Sequence, residues 1–316
     1  MNPSPDSPTL PWACMLAGSL LAALAAGLGG WRARGSTAVP AAIWAVCAAF
    51  AVSIDAGLHV TGWAADPARG ASARLCVAAV LVCPAMSVLG AKRPQHGIWQ
   101  VIVASLAVVL AMPAASAEFV RPGSPPVVHI VVRFFLAVLA AIGWMNYVGT
   151  QRRVPATLVT IGGLILIRGF LPGMETERAS DSPWLDVSAA WLLAAGGMLA
   201  VVPRVGGREG ARVLRQEIEM PYLSLRETLG LAWTLRIAER FNGLAESRGW
   251  PCRLEADGLD AGGDPLDRSW HADAVRTFES IMQRFVSRDW LARHRDDADA
   301  TAATAAGGVN HDRDDA

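Results

Sequence analysis

Long uncharged apolar runs alternate with short polar connections over the first two hundred residues. The runs are Leu10 to Leu28, Val39 to Val60, Ala73 to Leu89, Ile98 to Ala115, Val127 to Gly149, Val154 to Leu171 and Trp184 to Val202. Most approach the ~20 apolar residues that an α-helix needs to cross a hydrocarbon core about 30 Å thick. The pattern predicts an all-α polytopic membrane bundle of seven transmembrane helices. The third, fourth and sixth runs are the shortest. They require Arg74, Glu118 and Arg168 to be tolerated near a helix end, where long side chains snorkel toward the headgroups. A secretory signal would place basic residues before the first run. Residues 1 to 9 carry Asp6 and no Lys or Arg, while Arg32 and Arg34 follow it, so the run reads as a mature helix.

After Pro203 the pattern becomes charged and amphipathic. Ser224 and Glu227 make an S-x-x-E capping box that predicts a helix running to Arg248, ended by Gly249 and Pro251. Trp270, Ala274, Phe278, Ile281, Phe285 and Trp290 predict a second helix from Ser269 to about His294. Between the two, Cys252 to Leu254 reads as briefly extended, and Gly262, Gly263 and Pro265 mark a loop. From Asp296 onward there is no apolar period, which reads as a disordered tail. The expected division is 1–203 transmembrane, 204–295 a small cytoplasmic helical domain and 296–316 disordered.

Composition and charge sharpen this picture. Hydrophobic residues make up 53% and charged ones 18%, against about 25% charged in ordinary soluble domains. The 28 basic residues balance the 28 acidic ones, so net charge gives no argument for a nucleic-acid partner. The bilayer itself is the first expected partner. The amphipathic helices after Pro203 offer a surface for homo-oligomerisation or for a protein partner. Alternate connections carry Arg32 and Arg34, Lys92 and Arg93, Arg152 and Arg153, and Arg204 onward. By the positive-inside bias this predicts an N-terminus outside and a C-terminus in the cytoplasm, in a bacterial inner membrane. The 12 Trp against 2 Tyr fall largely at the ends of the runs, where amphipathic rings favour the interface. Gly18, Ala22, Ala26 and Gly30 recur every fourth residue, a spacing that permits close helix packing. Residues 90 to 100, GAKRPQHGIWQ, resemble a segment of uncharacterised bacterial multi-pass membrane proteins. The resemblance implies no activity; on physical grounds the segment reads as a tight inner loop whose Lys92 and Arg93 anchor it to anionic headgroups, with Pro94 ending one run and Trp99 starting the next.

Several chemistries lack their residues. Lys92 is the only lysine, and it lies in a polar connection. A retinal Schiff base within the bundle and a P-loop GxxxxGK[ST] are therefore both absent. There is no HExxH, no CxxC and no G-x-S-x-G elbow. No catalytic residue, metal site or cofactor is expected.

The informative residues are the intramembrane charges. Asp55 and His59 lie four apart on the second run, as do His129 and Arg133 on the fifth, so each pair is expected to share a helical face. Arg168 and Asp186 fall in the same outer third. Charges at the bilayer centre cost about 2.5–3.5 kcal/mol on insertion scales, so these six should face the bundle and pair: Asp55 with Arg133, and Asp186 with Arg168. Three readings stay open for them. They are structural interhelical pairs, a polar transport or ligand-sensing site, or, with His59 and His129 as axial ligands, a haem site. The expected function is that of a non-enzymatic structural or signalling component. The alternative is a small-solute or proton-coupled transporter.

Overall fold

The computed structural model of the chain describes residues 9–90, 96–173, 182–202, 214–261 and 269–295. Seven of its helical segments are long and apolar enough to cross a membrane. They are α1 (Leu10–Arg32), α2 (Val39–Val60), α3 with α4 (Pro67–Leu81 and Cys83–Leu89), α5 (His96–Phe119), α6 (Ile130–Val148), α7 (Arg153–Ile167, continued by a 3₁₀ turn at Arg168–Phe170) and α8 (Pro183–Val201). The fold is that of an α-helical bundle compatible with a multi-pass membrane protein. The chain divides into two compact units. Of the described residues, the second unit holds Arg34–Thr37 and those from residue 214 onward, and the first holds the rest.

Within the first unit α1 packs on α2 and α8, α7 on α8, and α3 on α5. Small residues set these approaches. A Cβ added to Gly18 would stand 3.2 Å from the Ala190 backbone of α8, and one on Gly162 of α7 would stand 2.7 Å from the Ala189 carbonyl oxygen. The spaced glycines of α1 serve two neighbours, since Gly30 faces Ala42 of α2. Leu24, Ile43, Phe50, Ile54, Val101 and Val108 are exposed, an apolar exterior that suits lipid as a solvent.

Three helix boundaries differ from the expected ones. The third span starts at Pro67 rather than Ala73, because Asp66 caps it, its carboxylate accepting from the Ala68 and Arg69 N–H groups at 2.8 and 3.2 Å, with Pro at the first position. The same span is interrupted at Val82, just before Pro84, a residue with no N–H to donate and a ring that crowds the preceding turn. The sixth helix starts at Ile130, so His129 is not on it. His129 is extended, follows Pro125 and Pro126, and uses its ring as an N-cap for the Val131 N–H. It therefore shares no helical face with Arg133.

In the second unit a π-helical turn (Arg215–Glu219) leads into α9 (Met220–Leu229) and α10 (Leu231–Arg248). A hairpin of β1 (Cys252–Glu255) and β2 (Gly258–Ala261), α11 (His271–Met282) and a last helix, α12, over 288–295 follow. The expected capping box is not used. Ser224 and Glu227 lie inside α9, and the helix breaks instead at Gly230, whose φ of +80° suits glycine. α10 ends where expected, at Gly249 with φ +69°. The antiparallel hairpin pairs Cys252 with Ala261 and Leu254 with Leu259, so the unit is not purely α. Asn242 of α10 holds it: the Leu254 N–H donates to Asn242 Oδ1 at 2.7 Å, and Asn242 Nδ2 donates to the Leu254 carbonyl at 2.8 Å. Tyr222, Leu225, Phe241, Phe278 and Trp290 are fully buried in this unit.

The expected single helix from Ser269 to His294 is two, because residues 283–287 pair with Arg34–Thr37, the connection between α1 and α2. Thr37 N–H donates to the Phe285 carbonyl at 2.9 Å and Ser287 N–H to the Gly35 carbonyl at 2.7 Å, forming an antiparallel bridge of Ser36 with Val286. Arg293 Nη2 donates to the Arg34 carbonyl at 2.7 Å. Gly35 has φ +85°, and a Cβ there would stand 2.5 Å from Ser287 Oγ. Lys92 and Arg93, the glycines of the 262–268 loop and the expected tail at 296–316 lie outside the described residues.

Candidate functional site

Asp55 stands on the last turns of α2, Arg74 eight residues into α3, Asp186 on the first turn of α8 and Arg168 just past α7. Asp55, Asp186 and Arg168 thus sit near the ends of their helices, and Arg74, well inside α3, meets the two carboxylates there. Arg74 is the centre. Its Nε lies 2.5 Å from Asp55 Oδ2 and its Nη2 donates to Asp186 Oδ2 at 2.7 Å. Arg168 Nη1 donates to Asp186 Oδ1 at 2.7 Å and to the Ile165 carbonyl at 2.7 Å. Asp55 is 1% and Asp186 4% exposed. The Arg74–Asp55 approach is close but off the line that a full hydrogen bond requires, and both Asp55 carboxylate oxygens remain without one. It is a charge contact, while the Asp186 contacts are hydrogen-bonded ion pairs.

His59 joins the edge of this network. Its Nδ1 is 2.9 Å from the Asp55 carbonyl oxygen and 3.7 Å from Asp55 Oδ1. Its ring stacks on Trp12 of α1, centroids 3.9 Å apart and planes at 23°. The Arg74 guanidinium carbon lies 5.8 Å from the centre of the same indole, within reach of a cation–π attraction. One turn and more below, Ser19 of α1 and Ser53 of α2 share a buried hydrogen bond of 2.7 Å. Two carboxylates and two guanidiniums thus offset one another, with His59 beside them, across four helical segments.

The six residues expected to form one cluster divide. Asp55, His59, Arg168 and Asp186 come together, and the Asp186–Arg168 pair is present. Arg133 does not pair with Asp55. Its guanidinium donates to the Val128, Gly169 and Leu171 carbonyls at 3.3–3.5 Å, two of them at the end of the α7 segment, where a cation suits the helix C-terminus. His129 is occupied as the cap of α6. The partner that sequence reasoning missed is Arg74. The adjoining residues Asp66 and Pro67 carry the signal that finds it, since an Asp-Pro helix start at 66–67 puts Arg74 roughly 10 Å along the helix. Trp12, Ser19 and Ser53 carried no such signal.

Among the described residues no group of three or more His, Cys, Asp or Glu is arranged to hold a metal ion. A second polar set lies near the other ends of the helices: Gln100 Oε1 accepts from Trp44 Nε1 at 2.9 Å and from Ser87 Oγ at 3.1 Å. Comparison with family models, curated proteins and solved structures finds no match for the chain.

Proposed function

We propose that this chain is a non-enzymatic, multi-pass inner-membrane protein, structural or signalling in role, with its N-terminus outside and its C-terminus in the cytoplasm. The observation that carries this reading is the charge balance of the buried network. Asp55 and Asp186 are each within 2.7 Å of a guanidinium, which suits fixation of helices more than capture of a charged solute. A transported ion would need at least one of these groups to exchange its partner. Folding of the α1–α2 connection with the C-terminal residues supports the signalling form of the reading. The spans that bear Trp12, Asp55 and His59 are then continuous with a segment of the second unit, and a protein partner or second copy bound there would be coupled to them.

One observation favours transport as a second reading. The third span is interrupted at Val82, and broken helices at mid-membrane accompany many transport sites. The interruption is lined by Val82 and Cys83, with Pro84 as its cause, rather than by ion ligands. A thermal-unfolding screen in detergent separates the readings. Sugars, amino acids, organic anions and alkali cations are each added to the wild type and to Asp55→Asn. The structural and signalling reading expects no solute-specific stabilisation. A solute that stabilises the wild type and leaves Asp55→Asn unchanged would establish transport or ligand sensing in its place.

A further inference from the structure

At the opposite end of the first unit from the charge network, the last residue of α6 and the first turns of α7 line an open cavity of about 300 Å³, formed by Val148, Arg153, Val154, Thr157 and Leu158. Its walls are apolar in effect. The one hydroxyl among them is already used, since Thr157 Oγ1 donates to the Arg153 carbonyl at 2.8 Å and accepts from Trp144 Nε1 at 3.0 Å. Arg153 stands at the rim. It is exposed, it is the first residue of its span, and among the described residues its guanidinium makes no hydrogen bond or ion pair.

The depths of these residues define what fits. Arg153 begins the membrane-crossing helix, so its cation lies at headgroup level, and Trp144 beside it is of the type that marks that level. Leu158 is five residues further on, roughly 7.5 Å deeper at ~1.5 Å per residue. The cavity therefore runs from headgroup level into the hydrocarbon. A free phosphate compound would satisfy Arg153 and leave the apolar walls empty. A neutral lipid would fill the walls and leave the cation unpaired. We propose that this cavity binds an anionic glycerophospholipid of the surrounding bilayer, the upper part of one acyl chain against Val148, Val154 and Leu158 and the phosphate on Arg153.

The test uses the full chain purified in a neutral detergent, with lipid adducts counted by native mass spectrometry. Dioleoyl phosphatidylglycerol is compared with dioleoyl phosphatidylcholine, with inorganic phosphate and oleate as competitors. The wild type is expected to retain phosphatidylglycerol about five-fold over phosphatidylcholine, the factor that one interfacial arginine supplies. Arg153→Gln should abolish the preference and Arg153→Lys should keep it. Leu158→Trp, which fills the cavity, should lower retention of both lipids, and Leu158→Phe serves if that variant does not fold. Arg121→Gln, an exposed arginine on another connection, should change nothing. The proposal is overturned by equal retention of the two lipids, by a preference that survives Arg153→Gln or falls equally in Arg121→Gln, or by phosphate or oleate competing as well as the lipid.

Discussion

Replacing Arg74 by Gln removes the one side chain that touches both buried carboxylates. Asp186 keeps its 2.7 Å contact with Arg168, but Asp55, 1% exposed, keeps only His59 at 3.7 Å. The loss therefore concentrates at Asp55. Unit charges about 4 Å apart interact by roughly 4 kcal/mol at an effective dielectric of 20, and stripping one partner from a buried pair costs about 3–5 kcal/mol by experience elsewhere. We expect about 3–5 kcal/mol for Arg74→Gln. Asp55→Asn should cost less, about 1–3 kcal/mol, because Arg74 then still holds Asp186. The double variant should lose less than the sum of the two, leaving a coupling of about 1–3 kcal/mol. The reference is Arg69→Gln. Arg69 is half exposed and 3.9 Å from Glu118, a surface-type pair worth about 0–1 kcal/mol. Unfolding in mixed detergent micelles, with increasing SDS and helicity followed by circular dichroism, gives all four values. Strictly additive losses, or an Arg74→Gln cost within about 1 kcal/mol of that of Arg69→Gln, would refute the reasoning that the network braces the bundle.

Gly35→Ala should destabilise the C-terminal unit by about 1–2 kcal/mol from the left-handed backbone alone, with a further loss as Ser287 moves aside. Faster limited proteolysis C-terminal to residue 214 is the readout, and an unchanged rate would remove the role assigned to the 34–37 connection. Burial pushes the Cys252 thiol up from 9.0 to about 11 and the Tyr222 phenol from 10.0 to about 12. Both groups are thus held protonated by the fold while the unfolded chain ionises first. The Cys252 contribution is intact below about pH 9 and is lost as pH rises through about 11, and the Tyr222 contribution is intact below about pH 10 and is lost as pH rises through about 12, each on the order of 2–3 kcal/mol. A denaturation midpoint of the C-terminal unit that stays flat from pH 8 to 11 would contradict this. Single cysteines placed at Ser4 and at Gly308 in a cysteine-free background should differ toward an impermeant thiol reagent in intact cells, with only the first labelled. Labelling of the second alone would reverse the orientation.

The apolar runs carried the spans because each run is long and nearly uncharged, so no other element could bury it. What they did not carry was where a helix begins, and the site depended on that. Counting apolar residues started the third span at Ala73 and left Arg74 at its edge. The Asp66 cap and Pro67 start it six residues earlier and place Arg74 inside. On α6 the error had the opposite sign: Val127 and Val128 are apolar enough to be counted, but they follow Pro125 and Pro126 and remain extended, which takes His129 off the helix. In the C-terminal unit, apolar periodicity ran straight through Gly230 and through 283–287. The first break comes from a glycine at positive φ, and the second from a pairing with residues some 250 positions away, which no local pattern records.

The choice of partners within the charge network follows from packing rather than from charge. Burial requires Asp55, Asp186, Arg74 and Arg168 to be paired, yet it is indifferent to which acid meets which base. Gly162 lets α7 approach the α8 backbone, and Gly18 lets α1 approach it from the other side. That sets Asp186 beside Arg168, and α3, packed on α2 and α7, brings Arg74 between Asp186 and Asp55. Arg133, on a helix whose N-terminus is held by His129, donates instead to the Val128 carbonyl and to the carbonyls past α7. The same logic makes Gly162 a more demanding position than any one charge. A Cβ there would meet the Ala189 carbonyl oxygen at 2.7 Å, and the separation of α7 from α8 would have to increase. Gly162→Ala should therefore lengthen the Arg168–Asp186 contact and lower stability while leaving every charge in place. A Gly162→Ala variant as stable as the wild type would show that the network, and not the close helix approach, sets the partners.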